Sequence, residues 1–366
     1  MNINISIKEL LSGVKVEWKK LGEVAEIKRG QRVTKNNLSP NKKYPVYSGG
    51  ITPMGYFDDF NNDANTITIV KYGTAGFVNF ITEKFWANDV TYCIKPNEQL
   101  NNKFLFYFLK NKQDYIKSLA TNAIPAHLPT EKINNILIPI LPLEIQNKIV
   151  QILDNFTELT AELTAELTAR KKQYSYYRDK LLTFKDNEVE WKKLGEVINI
   201  KRGKRLVKSQ LEEFGNYPVY QNSMKPLGYY YENNAEANTT FIISAGAAGE
   251  IGYSNGEFWA ADDVYLLLTQ HNIINSKFLY YFLLTKQYQL LSQVRRASIP
   301  RLSKIAIERL IIPIPPIEKQ KEIVDILDKF DTLTNSISEG LPKEIELRQK
   351  QYEYYRDLLL SFPKED

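Results

Sequence analysis

This chain is written twice. Val16-Glu17-Trp18-Lys19-Lys20-Leu21-Gly22-Glu23-Val24 returns unchanged at Val189-Glu190-Trp191-Lys192-Lys193-Leu194-Gly195-Glu196-Val197, a step of 173 residues. Ile27-Lys28-Arg29-Gly30 matches Ile200-Lys201-Arg202-Gly203, and Tyr44-Pro45-Val46-Tyr47 matches Tyr217-Pro218-Val219-Tyr220, at the same step. Gly73 and Gly76 repeat as Gly246 and Gly249, and Phe85-Trp86-Ala87 with Asp89 repeats as Phe258-Trp259-Ala260 with Asp262. Late in each copy, Gln173-Tyr174 and Tyr177-Arg178-Asp179 match Gln351-Tyr352 and Tyr355-Arg356-Asp357 at a step of 178. Chance does not hold such a register, so the chain is a tandem duplication. Two copies kept only for stability is the plainer reading; it leaves the differences between the copies unexplained.

A chain of 366 residues with 43% hydrophobic and 25% charged residues has the composition of a globular protein of two or three domains. Its uncharged apolar runs are far shorter than the ~18–20 residues of a membrane span, and its first residues lack the basic and apolar segments of a secretory signal. Cys93 is the single cysteine, which excludes an internal disulfide and fits the cytosol. With only His127 and His271, a histidine-based zinc site or catalytic machine is not expected, and both read as ordinary surface residues. The net charge of +5 permits a nucleic-acid partner without demanding one.

Each copy falls into two parts. In the first, residues 66–70 and 241–244 read as strands, and residues 102–110 and 276–284 as buried helices. The second is a long helix, opened by Ile138-Pro139-Ile140-Leu141-Pro142 and by Ile312-Pro313-Ile314-Pro315-Pro316. Pro142 and Pro316 suit a first helical turn, and Glu144 and Glu318 suit the positive end of the helix dipole. Phe156, Leu159, Leu163, Leu167, Tyr174 and Tyr177 follow steps of mostly three or four, a coiled-coil seam. Glu-Leu-Thr-Ala occurs three times over residues 158–169, one helical turn per unit. The second seam runs through Ile323, Ile326, Phe330, Leu333, Ile337, Tyr352, Tyr355 and Leu359, and Gly340-Leu341-Pro342 should break or kink it. Leu10-Leu11 precedes Trp18 much as Leu181-Leu182 precedes Trp191, so residues 1–13 are expected near the C-terminus. The fold class is α+β: two pseudo-two-fold-related globular domains separated by two long antiparallel coiled-coil helices.

No catalytic signature stands out: there is no Gly-Lys-Ser/Thr phosphate loop and no His-Glu-x-x-His. Gly73/Gly76 and Gly246/Gly249 read first as tight turns, and Asp89 and Asp262 as turn or capping residues. The basic clusters carry more. Arg29, Gln31, Arg32 and Lys35 in one copy, and Arg202, Lys204, Arg205 and Lys208 in the other, follow strand-like segments. A solvated charge run explains one such cluster; a repeated one suggests phosphate and base contacts by long cations and amides. A second loop at 47–50 and 220–223 (Ser48; Gln221, Asn222) and a third at 72–75 and 245–248 (Tyr72, Thr74) are further candidates. In a fourth loop, Arg295, Arg296 and Arg301 face the non-basic stretch 121–127 of the first copy, with Asn122 as its candidate. Scaffolds agree and loops differ, as expected if each copy reads a different half of a DNA site.

The chain resembles the specificity subunits of type I restriction–modification systems over essentially its whole length. The carriers are Trp18-Lys19-Lys20-Leu21-Gly22-Glu23 and its repeat, Ile138-Pro139 with Pro142, Glu144 and Gln146, and Ile312-Pro313 with Pro316, Glu318 and Gln320. The Thr-Ala-Glu-Leu units and the Gln-Tyr…Tyr-Arg-Asp motifs complete them. The resemblance implies target recognition domains at residues 1–140 (with the short segment 1–13) and 185–314. It implies a central conserved helix at 141–184 and a distal one at 315–366. It implies double-stranded DNA as ligand, a bipartite asymmetric site with helix length as its ruler, and two methylation subunits docked on the helices. Phe156, Leu159, Leu163, Leu167, Tyr174, Tyr177, Phe330, Leu333, Tyr352 and Tyr355 are the candidates for that docking and the coiled coil. No cofactor is expected on this chain. S-adenosylmethionine, ATP and Mg would belong to partner subunits, which include the restriction and translocation subunits, and the chain itself would be non-catalytic. The alternatives are a DNA-specificity subunit of another restriction class, an orphan or silent specificity protein, and a coiled-coil scaffold that does not bind DNA.

Overall fold

The computed structural model describes residues 7, 9–121, 123–124, 126–296, 298–336 and 338–362. The chain forms two compact units, residues 1–162 with 345–366, and residues 163–344. Each repeats one α+β plan.

In the first unit, an antiparallel sheet runs in the order Ala25–Arg29, Thr91–Pro96, Thr66–Val70, Val78–Ile81. In the second, the order is Ile198–Arg202, Val264–Thr269, Thr239–Ile243, Ile251–Ser254. The central strands are apolar because both faces are covered: Ile67, Ile69, Ile242 and Ile243 are buried. Helices Asn102–Asn111 and Ser276–Thr285 lie on these sheets, their Asn101 and Asn275 side chains capping the free amides of the first turn. A smaller sheet joins Tyr56–Phe57, Tyr44–Tyr47 and Trp86–Ala87, and its twin joins Gly228–Tyr230, Tyr217–Tyr220 and Trp259–Ala260.

The repeated Trp-Lys-Lys and Ile-Pro motifs pair with each other. Glu17–Lys20 runs antiparallel to Leu137–Ile140, with Trp18 opposite Pro139; Glu190–Lys193 pairs likewise with Ile311–Ile314, with Trp191 opposite Pro313. Proline is tolerated because these two-stranded ribbons have only edges.

Where each ribbon turns into its helix, a fully buried glutamine sets the join. Gln146 accepts from the Asn101 amide at 2.7 Å and donates to the Gln99 and Leu141 carbonyls at 2.9 and 2.7 Å. Gln320 repeats all three bonds, from Asn275 N–H and to the Ile273 and Pro315 carbonyls, at 2.8, 2.9 and 2.8 Å. Lys103 and the Tyr107 hydroxyl, both 2.7 Å from the Asp154 carboxylate, tie the short helix to the long one. Lys277 and Tyr281 do the same with Asp328.

The first long helix is Leu143–Leu181, 39 residues or about 58 Å, and ends before Phe184. The prolines stand one place earlier than a first-turn assignment puts them. Pro142 and Pro316 precede the helices, and their carbonyls accept the first helical amides, from Gln146 and Gln320 at 3.1 Å. The distal segment is split, as its Gly-Leu-Pro suggested, into Ile317–Asn335 and Gly340–Leu359. Gly340 has φ +78°, and a Cβ there would lie 2.3 Å from the Thr332 carbonyl oxygen. Ile337 lies outside the described residues. In the first unit Ile7, Leu10 and Leu11 join the core that holds Tyr355, Leu359 and Leu360. Among the described residues no helix is long and apolar enough to cross a membrane.

Candidate nucleic-acid interface

Four loops far apart in sequence lie edge to edge in each unit. In the first unit, Gln31 N–H donates to the Ala87 carbonyl at 2.9 Å and Trp86 Nε1 donates to the Gln31 carbonyl at 2.7 Å. This fixes the loop at 29–35 on the strand Trp86–Ala87. Gly30 is needed there, because a Cβ would meet the Ala87 and Asn88 carbonyls at 2.3 Å. Buried Asn88 then joins two loops: it accepts from Val33 N–H and donates to the Val33 carbonyl, both at 3.1 Å, and reaches Ser48 Oγ at 3.4 Å. The third loop hangs on the second through Thr74, whose N–H and hydroxyl donate to the Gly49 carbonyl at 2.9 and 3.1 Å. The fourth closes on the third, with His127 bridging Tyr72 and Leu128 N–H donating to the Lys71 carbonyl at 2.9 Å.

The second unit keeps the frame. Lys204 N–H donates to the Ala260 carbonyl and Trp259 Nε1 to the Lys204 carbonyl, both at 2.9 Å. Ala247 N–H donates to the Asn222 carbonyl at 2.9 Å, and Leu302 N–H to the Ser244 carbonyl at 2.8 Å. Arg295 and Arg301 pair across the fourth loop, and Arg301 bridges Ala245. The Asn88 position is Ala261, fully buried, so this face is packed rather than knitted by a side chain.

The candidate residues divide by what they touch. Arg29 and Arg202 end their strands and donate through Nε to the carbonyls of Asp89 and Asp262, the latter at 2.6 Å. Arg29 also faces the Asp89 carboxylate at 3.5 Å, so these two arginines brace the loop root. Gln31, Arg32, Lys35, Lys204, Arg205 and Lys208 are exposed. Arg32, Arg205, Arg295, Arg296 and Arg301 have no carboxylate partner among the described residues. Ser48 and Gln221 are half-buried and Asn222 is exposed. Asn122 lies outside the described residues. Tyr72 stacks on His127, with centroids 5.6 Å apart, and Lys71 Nζ lies 5.3 Å from the Tyr72 ring centre. Lys71 and His127 escape sequence reasoning because neither falls in a repeated motif. His127 is not a free surface residue: its ring is half-buried, and it stands where the second unit has Arg301.

Several of the helix positions pack within their own units. Phe156 stacks on Tyr355 at 5.4 Å in the first unit; Tyr174 and Tyr177 stack on Phe330 at 6.2 and 5.6 Å in the second. Leu159, Leu163, Leu167, Leu333 and Tyr352 are half-buried. Tyr176 and Tyr354, at matching points of the repeat, are instead 60% and 56% exposed. Buried Cys93 has its thiol pushed up to about 12 by burial, which makes it unreactive. Among the described residues no group of three or more His, Cys, Asp or Glu could hold a metal ion.

Each copy of this duplicated α+β chain thus joins four loops edge to edge, with exposed cations on the first loop of both. The type I restriction modification DNA specificity domain matches it twice, at residues 14–170 and 187–347, and the chain belongs to the specificity subunits of type I restriction–modification systems, whose function is recognition of the DNA target. It is 36% identical to a putative type I restriction enzyme specificity subunit of Haemophilus influenzae, over 97% of this chain and 98% of the relative. It is 34% identical to the EcoR124I/EcoR124II specificity subunit of Escherichia coli, over 98% and 97%. The crystal structure of the type I system S subunit from M. genitalium shares the fold, with a TM-score of 0.72, 24% identity and coverage of 97% and 98%.

Proposed function

We propose that each unit reads one half of a bipartite, asymmetric DNA site. The observation that carries this is the convergence of four loops, with exposed unpaired cations, into one face per unit. Arg32, Lys35 and Tyr72 with Thr74 serve the first face, and Lys204, Arg205, Lys208, Arg296 and Arg301 the second. Arginine forks suit guanine edges and lysines suit phosphates. Arg29 and Arg202 hold their loops to the strand ends and present only their remaining N–H groups to a phosphate.

The long helix sets the distance between the halves, its Glu-Leu-Thr-Ala turns acting as the unit of length. Two methylation subunits dock on the helices, and exposed Tyr176 and Tyr354 are apt anchors, since a ring buries much area at little entropic cost. On this reading methyl transfer with S-adenosylmethionine, and restriction and translocation with ATP and Mg, belong to partner subunits, while this chain contributes recognition without catalysis. Mapping methylated adenines across the host genome, with and without the gene, tests this. Loss of one split, non-palindromic motif on deletion is expected; an unchanged methylome counts against it.

A further inference from the structure

We propose that His127 is a base-reading residue of the first unit, holding the place that Arg301 holds in the second; this rests on the half-site reading above. Both residues end the fourth loop at the same point of the repeat, each bridged to the third loop, His127 to Tyr72 and Arg301 to Ala245. The imidazole is fixed on two sides. It stacks on Tyr72 at 25° between planes, and its Nδ1 lies 2.9 Å from Thr121 Oγ1. That hydroxyl oxygen also accepts the His127 backbone N–H at 3.2 Å, while Thr121 N–H donates to the His127 carbonyl at 2.8 Å. A hydroxyl that accepts an amide still has its own proton to give, and the Nδ1 lone pair is the acceptor in reach. In the tautomer this proposal requires, Thr121 Oγ1–H donates to Nδ1 and the ring proton is on Nε2, which meets no hydrogen-bond partner among the described residues. A locked ring with one committed and one uncommitted nitrogen is a directional donor. Its complement is an acceptor on a base edge in the major groove, guanine N7 or O6 foremost. Arg301 offers a fork of donors to the same kind of edge. The units would then differ at one equivalent point by one donor against several.

The test uses the chain assembled with its methylation subunits, expressed in a host that lacks the modification, with methylated adenines mapped genome-wide. A wild-type complex that yields no split motif overturns the half-site reading, and this proposal with it. Given a motif, His127→Ala should lower discrimination about tenfold at one position, in the half that Arg32→Ala also alters. The other half should be unchanged. Thr121→Val, which unlocks the ring, should relax that same position less. His127→Gln, whose amide nitrogen reaches about as far as Nε2, should stay within about threefold of wild type. Undiminished discrimination in His127→Ala, or equal loss in both halves, overturns the proposal. The Gln variant keeps the test decisive if the Ala variant does not fold: tenfold loss there, at a wild-type melting temperature, also contradicts it.

Discussion

The two loop faces share a frame and differ in what they present. Trp86 and Trp259 make the same bond to the first loop, and Gly30 and Gly203 allow the same close approach. Gln146 and Gln320, and Asp154 and Asp328, repeat bond for bond. Yet Asn88 corresponds to Ala261 in the repeat, His127 to Arg301, and a polar fourth loop to an arginine-rich one. Buried polar groups that fix geometry leave little freedom to vary, because each loss strands several backbone groups. Exposed side chains at loop tips carry no such penalty, so recognition can diverge while the frame stays.

The largest effect expected from this comparison comes from the proposed helical ruler. Deleting residues 162–165 removes about 6 Å of helix at ~1.5 Å per residue. Methylation at the original spacing should collapse, and a spacer shorter by roughly one to two base pairs, at ~3.4 Å each, should replace it. Both half-motifs should stay as they were, because neither loop face is touched; altered halves would break the separation of frame and face. Next, Gln146→Ala and Gln320→Ala should each cost about 3–4 kcal/mol in denaturant unfolding, since each strands three backbone partners. Clearly unequal costs would show that the twin joins are not equivalent.

Asn88→Ala should cost about 2 kcal/mol through the two lost bonds to Val33, and should loosen only the first half-site. Ala261→Asn should bring no matching gain, because the residue there is already fully buried. The smallest effect concerns alkaline pH. Burial, then the facing Asp154 carboxylate, holds the Tyr107 hydroxyl above the ordinary tyrosine range, and Tyr281 is raised in the same way beside Asp328. Above pH about 10 the unfolded chain sheds these protons while the folded one keeps them, so stability falls as pH rises. Tyr107→Phe should cost about 1 kcal/mol at neutral pH and flatten part of that alkaline loss, read by unfolding at a series of pH values.

Much of this frame is legible from residues alone. The repeat marks both copies, the run Thr66–Val70 reads as a strand because its residues are β-branched and bounded by turn formers, and Gly340 announces the split helix. The loop clusters are legible one at a time. Their convergence is not, because it depends on bonds such as Thr74 to Gly49 and His127 to Tyr72 between segments that share no local pattern. Asn88 is invisible for a related reason: it does not repeat, its partner in the second copy being Ala261. Arg29 and Arg202 illustrate the converse. A repeated arginine in a basic cluster reads as a DNA contact, while in the fold its Nε is committed to a backbone carbonyl.

The two faces are proposed to read separate halves. Arg205→Ala in the assembled complex tests this most directly, with the methylated motif mapped genome-wide against wild type. Loss of about 1–3 kcal/mol of discrimination at one position of a single half, with the other half intact, is the predicted result. Equal relaxation of both halves would contradict the account.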